Sequence, residues 1–355
     1  MRLDSVKLIE KLSNAYGVSG FEDDVVEIIK DKFGDIFEIQ EDFMRNLVIY
    51  RKGHKGDKPI VMLDGHSDEV GFIIQSIKAN GTMRFLPLGG WMAQNIPGHK
   101  VRVKNSKGKY IEGVVATKPP HFMKGPITLQ PIHEMVIDVG ATSYEEIIEV
   151  FQIEPGAPVI PDVKFSMDQK TGVMLGKAFD NRLGCAAVLE TMLTLEGADL
   201  DVDVVGSISV QEEVGCRGAK VNANTVKPDL AVVFEGSPAD DTFMDSYDSQ
   251  GALKKGTQIR HFDMRLIANH RLISFSKSVA RENKIPFQCA VRSGGGTDAG
   301  PIHMENKAVP SLILGMPVRY AHTHYGFSAL EDYRATVDLT VEILKRLNSD
   351  QLQKF

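Results

Sequence analysis

The sequence predicts an α/β fold, a sheet flanked by helices, with a small β-barrel domain inserted into it. Three observations carry that expectation. Apolar, β-branched runs such as Pro59-Ile-Val-Met-Leu-Asp64 and residues 202–210 read as strands buried on both faces. Between Phe72 and about Pro161 strand-like runs follow one another between turn signals, the pattern of a small barrel or sandwich. After Gly172 the alternation of strand and helix returns, so two halves of one sheet domain must meet across an insertion. The expected division is 1–70 and 164–355 for the two parts of the α/β domain and 71–163 for the β-rich insert.

In chain order, residues 3–16 and 21–33 carry helical spacing, and Ser19-Gly-Phe-Glu22 has the form of a capping box for the second helix. Residues 37–50 are strand-like, and 59–64 form a central strand running into Gly65-His66-Ser67-Asp68-Glu69. Within the insert, strands are expected at 71–78, 83–88, 100–104, 109–117 and 135–139. The Pro- and Gly-rich loop 118–131 falls at its rim, and a helix at 143–150. Then come a strand at 172–177, a helix at 183–195, the strand 202–210, a helix at 218–225 and a strand at 229–234. Residues 236–256 hold Asp240, Asp241, Asp245 and Asp248 and read as a solvated loop. A helix at 271–283, strands at 287–291 and 309–314, a helix opened by Ser293-Gly-Gly-Gly-Thr-Asp-Ala-Gly300 and a terminal helix at 327–347 complete the reading.

Composition bounds the function. The 355 residues are 43% hydrophobic and 25% charged, with net charge -6 and no basic stripe, which argues against a nucleic-acid partner. No run is long and apolar enough to span a membrane, and the amino terminus lacks the apolar core of a signal peptide. Cys185, Cys216 and Cys289 are odd in number and widely spaced, which points to reduced thiols in a cytoplasmic protein.

The chemistry concentrates at strand exits. Glu212 and Glu213 follow the strand 202–210 directly; consecutive side chains at a strand end point apart, so one can hold a metal and the other move a proton. His66, Asp180, Glu213, Glu235 and His322 each follow an apolar run by a few residues, and such exits share one edge of an α/β sheet. Singly each has an ordinary explanation: a solvated carboxylate, a hydrogen-bonding histidine, or in Asp180 a helix cap. Together, two imidazoles and three carboxylates suit two divalent ions sharing a bridging carboxylate. Two dications against three carboxylates leave about one positive charge, enough to stabilise a bridging hydroxide. Asp68, two residues after His66, is placed to fix its tautomer, and His324 competes with His322 as ligand. Glycines 294–296 lack the Lys-Ser/Thr ending of a phosphate loop; they read as close approach to a bound peptide or as a plain turn.

The stretches Asp64-Gly-His-Ser-Asp-Glu-Val-Gly71, Ala178-Phe-Asp-Asn-Arg182, Gln211-Glu-Glu-Val-Gly-Cys-Arg-Gly218, Gly295-Gly-Thr-Asp-Ala299 and Arg319-Tyr-Ala-His-Thr323 resemble the motifs of the tetrahedral metallo-aminopeptidases. The likeness continues through the insert in Leu88-Gly-Gly-Trp91, Lys118-Pro-Pro-His121 and Ile137-Asp-Val-Gly140, and so covers essentially the whole chain. The resemblance implies a co-catalytic zinc-peptidase fold with two zinc or cobalt ions per subunit, manganese being a third candidate. Asp180 would be the bridge, His66 and Glu235 would hold one ion, and Glu213 and His322 the other. Glu212 would be general base and acid, Asp68 the orienter of His66. It further implies removal of amino-terminal residues from short peptides. The insert would serve as an oligomerisation domain in dimers assembling into a tetrahedral dodecamer. One departure is Glu235, where the family more often has Asp. The competing readings are a related dinuclear-metal deacylase or carboxypeptidase and, from another class, a non-catalytic peptide-binding protein. Acidic specificity would require a cationic pocket, for which Arg292 and Arg319 are the candidates.

Overall fold

Buried, β-branched strands dictate the centre of the molecule. In the computed structural model, which describes residues 4–122 and 129–355, Ile60–His66 is buried along almost its whole length, as a strand covered on both faces must be. Residue 3 of the first expected helix and residues 123–128 of the rim loop lie outside the described residues.

The elements, in order, begin with α1 (Ser5–Asn14), α2 (Asp23–Phe33), β1 (Glu38–Glu41), β2 (Leu47–Tyr50) and β3 (Ile60–His66). The insert supplies β4 (Gly71–Ile77), β5 (Met83–Leu88), β6 (Lys100–Lys104), β7 (Tyr110–Ala116), β8 (Val136–Asp138), the single turn α3 (Tyr144–Glu146) and β9 (Pro158–Pro161). Next are β10 (Ser166–Met167), β11 (Val173–Gly176), α4 (Phe179–Thr194), β12 (Asp203–Ser209), α5 (Arg217–Val226), β13 (Leu230–Pro238) and β14 (Thr257–Phe262). The chain continues with α6 (His270–Glu282), β15 (Phe287–Val291), α7 (Ala299–Ile302), β16 (Ser311–Val318), β17 (Gly326–Ala329), α8 (Leu330–Leu344) and α9 (Ser349–Leu352).

Eight strands form one mixed sheet in the order β1-β2-β12-β3-β13-β16-β14-β15. Its centre, β12-β3-β13-β16, is parallel, with Ser209 beside His66 and Glu235 beside Gly315. Their carboxyl ends therefore open on one edge, where open α/β sheets bind ligands. Helix α4 is buried nearly all round because it lies between the sheet and helices α1 and α8. Strands β4-β5-β8-β7-β6-β9 close into a barrel with its own core, including Phe72, Phe85, Val101, Val115, Ile137 and Val159. Trp91 packs on the start of β4, stacking on Phe72 at 4.8 Å and donating to the Gly71 carbonyl at 3.1 Å.

Several expectations are corrected. The capping box does not form: α2 has Glu22 as its N-cap, without a side-chain cap bond. Ser19 Oγ instead donates to Asp68 at 2.6 Å, and Glu22 Oε1 accepts from the backbone N–H of Gly20 and Gln211. Tertiary partners with buried charge outcompete the local turn. Strand β11 joins a separate three-stranded sheet with β10 and β17, and β17 occupies the residues expected to begin the terminal helix, which starts at Leu330. The expected helix 143–150 is one α-turn followed by a π-turn, Ile147–Phe151.

Candidate active site

Each parallel strand delivers one side chain to the open edge. His66 is the last residue of β3, and the imidazole is oriented from behind: Nδ1 lies 3.3 Å from Asp68 Oδ1 and 3.1 Å from the Asp68 carbonyl. Nε2 is thereby left facing the site, 3.2 Å from Asp180 Oδ1 and 3.8 Å from Glu235 Oε1. Asp180 follows β11 at the start of α4, where it and Asn181 depart from helical backbone angles and the peptide between them is cis. Asn181 locks this turn by donating to the Phe234 carbonyl and accepting from the Gly184 N–H. Gly236 is required opposite: a Cβ there would come 2.5 Å from the Asp180 Cα. Glu235 lies inside β13, which continues to Pro238, so it is not a strand-exit residue.

On the other side His322 follows β16, with Nε2 3.3 Å from Glu213 Oε2 and 3.5 Å from Asp180 Oδ2. Its Nδ1–H donates to the Gly90 carbonyl at 3.0 Å, which fixes Nε2 as the lone-pair nitrogen towards the site. Glu212 and Glu213 sit in a turn beyond β12, after Gln211 in a left-handed conformation, so strand alternation does not separate them. Asp68 does this instead. Its Oδ1 accepts the Glu212 N–H at 2.9 Å and its Oδ2 the Glu213 N–H at 3.2 Å, aiming the two side chains at different imidazoles. Glu212 Oε2 lies 3.9 Å from His66 Nε2.

Two donor groups result, His66–Asp180–Glu235 and Asp180–Glu213–His322, each with its ligand atoms within 4.8 Å of one another, and Asp180 belongs to both. Glu213 Oε1 and Glu235 Oε2 are buried with no hydrogen-bond partner among the described residues. A buried carboxylate oxygen without a partner carries a large desolvation cost, which a cation relieves. Burial first, and then Asp180, pushes Glu235 up to about 8; burial likewise raises Glu212 and Glu213. Burial would lower His322, but Asp180 and Glu213 outweigh it and hold the imidazole up to about 10. Protons therefore sit where positive charge is short. The donor set fits two divalent ions sharing Asp180, which would replace those protons.

All seven residues singled out by the sequence, His66, Asp68, Asp180, Glu212, Glu213, Glu235 and His322, meet at this edge. His324 does not join them: it is buried against His99, at 4.1 Å, and Trp91, at 5.0 Å. A cavity of about 520 Å³ opens beside the site, lined by Arg260, Arg265, Arg292 and the Gly294–Gly296 turn. Arg292 is paired with Asp240 at 2.9 Å, whereas Arg319 pairs with Asp241 at 2.6 Å and is not part of the lining. The acidic loop thus holds arginines. Sequence reasoning missed the Gly90 carbonyl, Ser19 and Arg265. The adjacent glycines of Leu88-Gly-Gly-Trp91 were the available signal for the first, since a Cβ at Gly90 would stand 3.1 Å from His322 Nδ1.

A family model described as M42 glutamyl aminopeptidase matches residues 45–339. The putative aminopeptidase FrvX of Escherichia coli is 34% identical over 355 residues, covering 99% of this chain and 98% of the relative. The crystal structure of the TET aminopeptidase from a marine sediment Thaumarchaeota archaeon superposes with a TM-score of 0.93 at 36% identity, covering 99% of this chain and 98% of that one. The Pyrococcus horikoshii TET1 peptidase, described as assembling into a tetrahedron or a large octahedral shell, has a TM-score of 0.86 at 28% identity, covering 97% of this chain and all of that one.

Proposed function

Because the chain belongs to the M42 glutamyl aminopeptidase family and is a peptidase, we propose that it removes amino-terminal residues from short peptides with Glu212 as the proton carrier. The observation that carries this reading is Asp180, whose two oxygens face two different imidazoles while Glu212 stands beside them. His66, Asp180 and Glu235 would hold one divalent ion, and Asp180, Glu213 and His322 a second, with zinc or cobalt the best match to two imidazoles and three carboxylates. Ions bound there would supply Lewis-acid activation of water and of the scissile carbonyl. Glu212 takes the proton of the attacking water and passes it to the leaving amine. The raised proton affinity that burial gives its carboxyl suits both halves of that transfer. Asp68 holds the two glutamates and His66 in register, and the Gly90 carbonyl holds His322.

Residues 1–70 and 164–355 form the catalytic unit in this reading, and 71–163 the oligomerisation unit. The assembly proposed is dimers joined into a tetrahedral dodecamer; the P. horikoshii TET1 peptidase, described as forming a tetrahedron or a large octahedral shell, supports a closed particle. Exposed apolar side chains on the insert, among them Leu86, Met92, Phe122 and Val150, support contacts there, and light scattering of the pure protein tests the mass. No helix among the described residues is long and apolar enough to cross a membrane. The three free cysteines support a reducing, cytoplasmic setting. Arg265, which is paired with no carboxylate among the described residues, favours acidic amino-terminal side chains in the cavity.

The decisive experiment compares wild type with Glu212→Gln on a panel of aminoacyl reporters after metal stripping and refilling with zinc, cobalt or manganese. The variant is expected to bind two ions per chain and to lose roughly 10²- to 10⁴-fold in kcat. A variant within threefold of wild type would remove Glu212 from the chemistry.

A further inference from the structure

Beside the cavity over the active site lies a second cleft, of about 650 Å³, that the reaction described above does not use. Gly215, Cys216 and Arg265 border both, which places the cleft next to the turn that carries Glu212. Within that turn Cys216 Sγ stands 3.1 Å from Glu212 Oε1. Met44, Val221, Pro301 and Met304 make the cleft apolar, and Arg217 and Lys220, from the start of α5, make one side of it cationic. No carboxylate lines it among the described residues, although the chain carries a net charge of -6. Arg217 donates to the neutral Gln211 side chain at 3.1 Å and the Arg265 guanidinium to the Cys216 sulfur at 2.9 Å. Neither they nor Lys220 have a carboxylate partner among the described residues. Cations gathered without acids in an acidic chain form a local positive field, which draws an anion from outside.

We propose that this cleft binds the carboxyl-terminal end of the short peptide being cleaved, with Arg217 and Lys220 receiving its free α-carboxylate. The proposal rests on the aminopeptidase reading of the adjoining site. Adjacency to that site favours substrate over a second protein as the occupant. A peptide cut beside Glu212 leads away from it past Gly215 and Cys216 into the cleft. Lys220 stands four residues beyond Cys216 along α5, about 6 Å at 1.5 Å per residue. An extended peptide advances about 3.3 Å per residue, so two residues cover that distance. The cations therefore suit tripeptides and tetrapeptides; a dipeptide stops short of them and a long chain carries its carboxylate past. Met44 and Met304 are flexible and adapt to different apolar side chains, so charge is the selective feature and shape is permissive. Val221 and Met304 are 36% and 71% exposed, and a bound apolar side chain would cover them.

The test compares peptides with their carboxyl-terminal amides in metal-loaded protein. The residue cleaved fastest from aminoacyl reporters is placed before Ala-Leu, and kcat/KM is measured for the free acid and for the amide. The acid is expected to be cleaved roughly tenfold better, through a lower KM, as two surface charge contacts allow. The ratio should fall towards one for a dipeptide and for an octapeptide of the same amino-terminal residue. Arg217→Gln combined with Lys220→Gln should bring it within about twofold, and Lys220→Glu should invert it. Both side chains are exposed, so the variants are compared at matched melting temperature. Equal rates for acid and amide in wild type, or a ratio that survives these variants, would overturn the cleft while leaving the aminopeptidase reading in place. A change of particle mass in Lys220→Glu with the ratio intact assigns the cleft to a second copy and also overturns the proposal. If no aminoacyl reporter is cleaved at all, the aminopeptidase reading fails and the proposal fails with it.

Discussion

Two buried charge clusters flank the His66 loop, and they are built on opposite plans. Behind the loop, Arg182 donates to the carbonyls of Leu12, Ala15, Gly17 and Ser67 and to Glu69, while Lys177 donates to Glu69 and Ala15. Two cations meet one carboxylate and a ring of carbonyls, so the charge is satisfied by the chain itself. In front of the loop, Asp180, Glu212, Glu213 and Glu235 face only two imidazoles, and two carboxylate oxygens have no partner among the described residues. The rear cluster is almost completely buried, and the front one opens to the cavity at His322. The difference is that one cluster closes its own electrostatics and the other leaves carboxylate charge that ions from outside would balance, which is how structural and functional buried charge can be told apart.

Removing the central cation from the self-sufficient cluster should do the most damage. Arg182→Leu leaves Glu69 and four carbonyls short of donors and is expected to cost about 3–5 kcal/mol in urea unfolding, with or without metal. If the loss disappears on adding zinc, the two clusters are not independent. The front cluster should respond to ions instead: refilling stripped protein at a thousandfold excess over Kd should raise stability by about 4 kcal/mol per site, read from the unfolding midpoint. An unchanged midpoint would break the contrast.

A third expectation concerns pH. Burial, against the opposing pull of Glu69, lowers Lys177 to about 8. Between pH 8 and the ordinary lysine value, the unfolded chain holds a proton that the folded chain lacks. Stability therefore rises with pH in that window, by at most about 1.4 kcal/mol per unit. Lys177→Met should flatten this slope relative to wild type. The smallest effect is expected from Ser19→Ala, which removes one donor from Asp68 and should cost about 1 kcal/mol, with a modest fall in kcat as Glu212 and Glu213 lose alignment.

The sequence made the sheet and the ligand set legible because His66, Glu213 and His322 each trail a run of buried β-branched residues, and the parallel centre brings those ends together. Less could be read where one pattern carries two meanings. Ser19 and Glu22 are spaced like a cap, yet both are recruited by Asp68 and Gln211 from far along the chain. Long-range partners of this kind leave no local trace. The Gly90 carbonyl is a backbone group with no side chain to betray it, and Arg265 sits in a loop whose direction only packing decides. Lys177 and Arg182, between the run Val173–Gly176 and the apolar helix residues from Leu183 onward, were a signal of buried charge that the sequence reading left unused.

The spread of the site along the polypeptide has a temporal consequence. During synthesis His66 and Asp68 emerge from the ribosome early, Asp180 midway and His322 only after some three hundred residues have been joined. A fragment that ends before His322 therefore lacks the second donor group, Asp180–Glu213–His322, and whatever that group holds can be bound only when nearly the whole chain has been made.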